Sequence, residues 1–144
     1  MLRTLVVALT CLAAAPAPAA ERIEGPLAAD VVRVIDGDTL LVRAKVWLGT
    51  EVTVAVRIRG IDAPEKRSAC AEERRAADRA AIGLAATIGD APITLTAVAG
   101  DKYAGRVLAD VATATGTSVA GALLGAGLAR TYAGGSRAPW CPAP

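Results

Sequence analysis

Three short stretches of this 144-residue chain carry charged side chains suited to phosphoryl chemistry: VVRVIDGDTLLV, VRIRGIDAPEK and DKYAGRVLADV, at 31–42, 56–66 and 101–111. Hydrolysis of a phosphodiester by water needs fixed positive charge on the equatorial oxygens, a group to position or deprotonate the water, and a cation at one face. Arg57 and Arg106 lie in different stretches, so they can grip one phosphate from two sides. A guanidinium suits planar, bidentate contact better than an ammonium does. Asp38 and Asp62 offer carboxylates from two separate loops to a hard divalent cation. The chain has no histidine, which excludes histidine bases, histidine metal ligands and the Ser-His-Asp arrangement together. Glu65 is then the candidate for handling water. Taken singly, each stretch has an ordinary reading: a hairpin turn at Asp36-Gly37-Asp38-Thr39, a solvated strand arginine at Arg57, a proline turn at Asp62-Ala63-Pro64-Glu65, a polar loop at 101–106. Only the set carries the chemistry.

These side chains need elements to hold them. Apolar residues alternate over 28–43 around Asp36-Gly37, which predicts a hairpin with strands at 31–35 and 39–43. Gly49-Thr50 offers a second turn, and 52–58 reads as a third strand with Val52, Val54, Val56 and Ile58 on one face. Arg57 falls on the other face, and Gly60 and Pro64 end the strand in a loop. The clearest helix covers 69–88, with Ser68 as the expected N-cap and Glu72 and Glu73 in the first turn. Its apolar face is Ala77, Ala80, Ala81, Leu84 and Ile88, with Arg74, Arg75, Asp78 and Arg79 outside it. Strands at 93–98 and 106–113 follow, then a short alanine-rich helix at 118–125 and an irregular Gly- and Pro-rich tail at 133–144. Five short strands with a helix between the third and fourth predict an α+β, mainly β chain folded as an OB-type Greek-key barrel. Turns this short exclude βαβ crossovers among the early strands.

Residues 1–20 are expected to stand apart from this domain. A basic start at Arg3, an apolar run and Pro-Ala-Pro-Ala-Ala form the pattern of a secretory signal peptide, cleaved near Ala19 or Ala20. The run falls short of the roughly 20 apolar residues that span a bilayer. The remaining chain divides into an extension at 21–28, the domain at 29–132 and the tail at 133–144. It is expected to be periplasmic or secreted, free of the membrane after cleavage, and monomeric. The formal net charge is +2, and Arg3 would leave with the leader, so a polyanion has to be held by a local patch. Phenylalanine is absent, which leaves few aromatics to stack on bases. Cys11 would also leave with the leader. Cys70 and Cys141 remain, and in an exported domain an even count reads as one disulfide, with two free thiols as the alternative. Such a crosslink would tie the tail to the start of the helix, contributing about 4 kcal/mol in the chain-entropy model.

Over 29–132 the sequence resembles the staphylococcal nuclease (thermonuclease) family. The family signature runs from an I-D-G-D-T hairpin through an arginine five residues before a D-x-P-E turn to a D-K-Y-G-R segment. Here these are Ile35 to Thr39, Arg57 with Asp62-Ala63-Pro64-Glu65, and Asp101-Lys102-Tyr103 leading to Arg106. The resemblance implies a five-stranded OB barrel and a Ca2+-dependent nuclease that cleaves the P–O5′ bond of single-stranded DNA and RNA, leaving 3′-phosphates. It implies calcium ligands in the Asp38 and Asp62 carboxylates and the main-chain carbonyl of Ala63, where the family often has threonine. Arg57, Glu65 and Arg106 would be the catalytic trio. Lys102 and Tyr103 would hold the terminal phosphate of a bound nucleotide, and Tyr132 would supply a second tyrosine to the substrate. One departure stands out: Tyr103-Ala104-Gly105-Arg106 is a residue longer than Y-G-R. A bulge at Gly105 is expected to absorb it and leave Arg106 aimed at the site, and of the five charged residues Arg106 is the one this insertion most exposes to displacement. Gly134-Gly135 and Trp140-Cys141 resemble the tails of bacterial periplasmic members. The competing reading is a non-catalytic OB module binding nucleic acid or a protein partner.

Overall fold

A computed structural model describes residues 21–141. The expected leader, with Cys11 and the cleavage point, lies outside the described residues, as do the last three. The strands are β1 (Arg22–Ile23), β2 (Leu27–Asp36), β3 (Thr39–Trp47), β4 (Thr50–Ile58), β5 (Ile61–Asp62), β6 (Ile93–Gly100), β7 (Arg106–Ala112) and β8 (Arg130–Thr131). The helices are α1 (Ala71–Ile88), between β5 and β6, and α2 (Val119–Gly125), between β7 and β8. Strands β2, β3 and β4 form an antiparallel meander, β7 runs parallel to β4, and β6 pairs with both β7 and β2. That last pairing closes a five-stranded barrel, so the α+β, mainly β OB architecture expected from the strand order is present. Within the barrel, closure removes the open sheet edges that would otherwise invite pairing with other chains.

The barrel is filled by aliphatic side chains of modest size, as the composition requires. Leu40, Val42, Val56, Ile58, Leu95 and Ala109 point inward from the strands, and Leu84, Ile88 and Leu123 cover them from the helices. Each fully buried Leu or Ile contributes about 1.5–3 kcal/mol relative to exposure. Helix α1 buries Ala77, Ala80, Leu84 and Ile88, a spacing that keeps one stripe facing the barrel. Among the described residues no helix is long and apolar enough to cross a membrane.

Four local expectations are corrected. The β2–β3 turn is Gly37-Asp38, because Asp36 already pairs with Thr39. Asp38 therefore belongs to the turn itself. Gly37 is required there by close approach: a Cβ would lie 2.6 Å from the Ala80 Cβ and 2.8 Å from the Ala63 Cβ. The N-cap of α1 is Cys70, without a side-chain cap bond, and Ser68 Oγ instead accepts from the Cys70 amide at 3.2 Å. Val52 is exposed, since β3 and β4 continue past the barrel as a two-stranded ribbon whose tip carries Trp47 and Leu48 in solvent. The extra residue before β7 forms no bulge. Tyr103 to Arg106 closes a β-turn, with the Arg106 amide donating to the Tyr103 carbonyl at 3.3 Å and Gly105 at φ +77°. A positive φ at the third turn position is glycine's natural place.

From Ala133 to Cys141 the tail is irregular, as expected, yet it is closely tied down. Sγ atoms of Cys70 and Cys141 lie at disulfide distance, with Cα atoms 6.3 Å apart. Arg130 stacks on Trp140, its Cζ 3.8 Å from the ring centroid, and donates to the Pro139 carbonyl at 2.9 Å.

Candidate active site

Register brings the charged set together. Thr39 pairs with Arg57 across β3 and β4, which puts the Gly37-Asp38 turn beside the arginine. The Asp38 carbonyl accepts from the Ile58 amide at 2.9 Å, fixing the turn to the end of β4. Pairing of Ile61 and Asp62 with Thr131 and Arg130 then holds the loop after Gly60 against the opposite side. Asp62, Ala63 and Pro64 are buried, and Glu65 emerges at the rim.

Asp38 and Asp62 are both nearly inaccessible, with 4% of their surface exposed. Burying carboxylates is costly unless they are paired and hydrogen-bonded. Asp38 meets that condition through Thr39 Oγ1 at 2.8 Å on Oδ1, and Arg57 Nη1 at 2.8 Å and the Ala63 amide at 2.9 Å on Oδ2. Arg57 also donates through Nη2 to the Ile61 carbonyl at 3.2 Å and sits 3.4 Å from Asp62 Oδ1. The result is a guanidinium locked between two carboxylates, with the Tyr132 ring centroid 5.8 Å from its Cζ. Asp36, read from sequence only as a turn residue, is a third acid here. Burial, and then the charge of Asp38, push its carboxyl above the ordinary aspartate range.

An open cleft of about 1210 Å³ adjoins this network. Arg57, Glu65 and Arg106 all line it, as do Lys102, Tyr103 and Tyr132. The inserted turn therefore leaves Arg106 on the cleft wall. Its Nε pairs with Asp101 Oδ2, and its guanidinium lies over the Tyr103 ring with the centroid 4.7 Å away. Lys102 Nζ approaches the same ring at 5.2 Å, while Tyr103 itself is largely exposed. Tyr132 is fixed at both ends, its amide donating to the Gly60 carbonyl at 2.9 Å and its hydroxyl to the Gly135 carbonyl at 2.7 Å. Glu65 stands half exposed, with its backbone amide donating to Glu73 Oε1 at 3.0 Å. Glu73 in turn has its carboxyl held below the usual range, chiefly by a hydrogen bond from Ser68.

Two site residues went unread in the sequence, both in the tail. Arg137 Nε lies 2.6 Å from Asp62 Oδ1, its Nη2 donates to the Ala63 carbonyl at 2.8 Å, and its Nη1 pairs with Glu65 Oε1. Trp140 Nε1 donates to Asp62 Oδ2 at 3.2 Å. Burial by itself would lower the Arg137 pKa, but hydrogen bonds to Asp62 and Glu65 outweigh it and hold the guanidinium above its ordinary value. The signal for both was Cys141: a crosslink to Cys70, five residues after Glu65, carries the preceding tail past the Asp62–Glu65 turn.

Asp38, Asp62 and the Ala63 carbonyl, the donors expected for calcium, present oxygen only, which suits a hard cation. Among the described residues no three His, Cys, Asp or Glu side chains converge into a chelating cluster. The set accepts positive charge as it stands, since the Arg137 guanidinium is bound to two of these three groups. On that observation the residues fit a divalent cation.

A family model described as staphylococcal nuclease homologue matches residues 55–139, which takes in Arg57, Asp62, Glu65, Arg106 and the tail arginine. No curated protein matches the chain.

Proposed function

Since the chain belongs to the staphylococcal nuclease homologue family, we propose that it hydrolyses single-stranded DNA and RNA with calcium as cofactor and leaves 3′-phosphates. The observation that carries this reading is the single cleft lined by Arg57, Glu65 and Arg106. Arg57 is held in place before any substrate arrives, so little reorganisation is needed as charge develops on the phosphate. Arg106 supplies the second positive charge from β7, steadied by Asp101 and Tyr103. Glu65 is half exposed at the rim, where water reaches it, and it positions or deprotonates the attacking molecule. Lys102, Tyr103 and Tyr132 hold the nucleotide along the cleft.

Calcium, when bound, would neutralise phosphate oxygens and favour ionised water; Asp38, Asp62 and the Ala63 carbonyl would hold it. The protein acts as a monomer in the periplasm or outside the cell, after losing its leader. A Cys70–Cys141 disulfide, which the sulfur positions favour, suits such an oxidising compartment.

The end groups of the products test the chemistry. Digestion of a 5′-labelled single-stranded oligonucleotide in calcium is expected to give fragments that a polymerase extends only after phosphatase treatment. Fragments extended directly, which carry 3′-hydroxyls, would sink the assignment of the cleaved bond.

A further inference from the structure

The Asp62–Glu65 turn directs acceptors of one kind towards one place. Asp62 Oδ1, the Ala63 carbonyl and Glu65 Oε1 all face the Arg137 guanidinium, which gives each of them a separate nitrogen. Asp38 is satisfied without it, by Arg57, Thr39 and the Ala63 amide. Asp62 depends on it more: besides the Trp140 indole at 3.2 Å on Oδ2, Arg57 reaches it only at 3.4 Å, against 2.6 Å for Arg137. Arg137 is therefore the nearer counter-charge of a buried carboxylate that also belongs to the calcium set. We propose that Arg137 is a second resident cation of this site beside Arg57, a positioning residue that holds Asp62, the Ala63 carbonyl and Glu65 together until calcium displaces it. The proposal rests on the calcium reading given above.

Competition follows from chemistry. Asp62 Oδ1 is ion-paired with the guanidinium and the Ala63 carbonyl accepts a hydrogen bond from it, so a hard cation drawing on the same lone pairs has to drive it off. The tail makes that displacement costly. Cys141, four residues on, is held at Cys70, Trp140 is stacked on Arg130 and bonded to Asp62, and Gly135 accepts from Tyr132. A tethered guanidinium returns to its acceptors at high effective concentration. Calcium binding here thus includes lifting an arginine from its carboxylates, and the intrinsic affinity of the oxygen set exceeds the affinity observed.

Calorimetric titration of calcium into the purified wild type, R137Q and R137K measures this without reference to activity. R137Q is expected to bind calcium about tenfold or more tightly than wild type, the factor that one charge-assisted hydrogen bond represents. R137K keeps a point charge but loses the fork, and its affinity should fall between the two. In chelator R137Q should melt below wild type, with calcium raising its melting temperature more than it raises that of wild type. That calcium-dependent gain, read alongside far-UV circular dichroism, separates a lost counter-charge from a misfolded variant, and R137K serves if R137Q does not fold. Equal or weaker calcium binding by a folded R137Q overturns the proposal and leaves the nuclease reading standing. Heat of binding from none of the three proteins overturns the proposal and the calcium reading together. Tighter binding by R137Q than by wild type, together with a wild type that cleaves no nucleic acid, upholds Arg137 and removes the nuclease reading alone.

Discussion

Replacing Glu65 with glutamine lowers turnover of single-stranded DNA by about 10³-fold, within the range removed with a general base. The substitution keeps the size and shape of the side chain but removes the charge that accepts a proton. Glu65 is half exposed, and its place is fixed largely through the backbone, by the Glu73 carboxylate on its amide and by the buried Ala63-Pro64 before it. Thermal unfolding should therefore change little. The loss should appear in kcat and in kcat/KM alike, the pattern of an interaction made only in the transition state. A variant that keeps wild-type turnover would remove Glu65 from the chemistry, and with it the reason for preferring catalysis over simple binding. A carboxylate in a phosphate-binding cleft repels its ligand, which a binding module has no cause to retain.

The Arg57→Ala change is expected to act on stability and rate together. Arg57 is the cation between Asp38 and Asp62, and its side chain is 15% exposed. Removing it leaves two buried carboxylates with fewer partners, and breaking a buried pair from one side costs about 3–5 kcal/mol. Arg137 still reaches Asp62, so Asp38 should bear most of that cost. The same guanidinium is the most rigidly held donor on the cleft wall, and losing one such donor slows a reaction by about 10²–10³-fold. Urea denaturation, with kcat/KM measured under conditions where the variant is folded, separates the two effects. Arg57→Lys should recover part of the stability, as a point charge can serve one carboxylate, and little of the rate. An alanine variant as stable as wild type would contradict the electrostatic account of how the two aspartates are buried.

Much of this is legible in the sequence, for identifiable reasons. Strand alternation around Gly37 and Gly49 and the apolar stripe of α1 are periodic signals, and they yielded the element order that closes the barrel. The spacing from Arg57 to Asp62 and Glu65 is local, so one turn keeps it intact. What periodicity cannot carry was missed or displaced. The turn slipped by one residue because Gly37 is placed by contact with Ala63 and Ala80, which are distant in sequence. Ser68 failed as a cap because helix α1 starts only after Cys70, whose position answers to Cys141 as well as to its neighbours. Arg137 and Trp140 belong to an irregular segment with no repeat to announce them, and only the cysteine pair pointed to where they arrive.

The central claim, that this cleft cleaves phosphodiesters with the help of a metal held by Asp38 and Asp62, is tested most directly by incubating pure mature protein with denatured DNA in calcium and then in chelator. The account predicts progressive shortening of the DNA in calcium and arrest on chelation. DNA left intact in calcium at high protein concentration would contradict it.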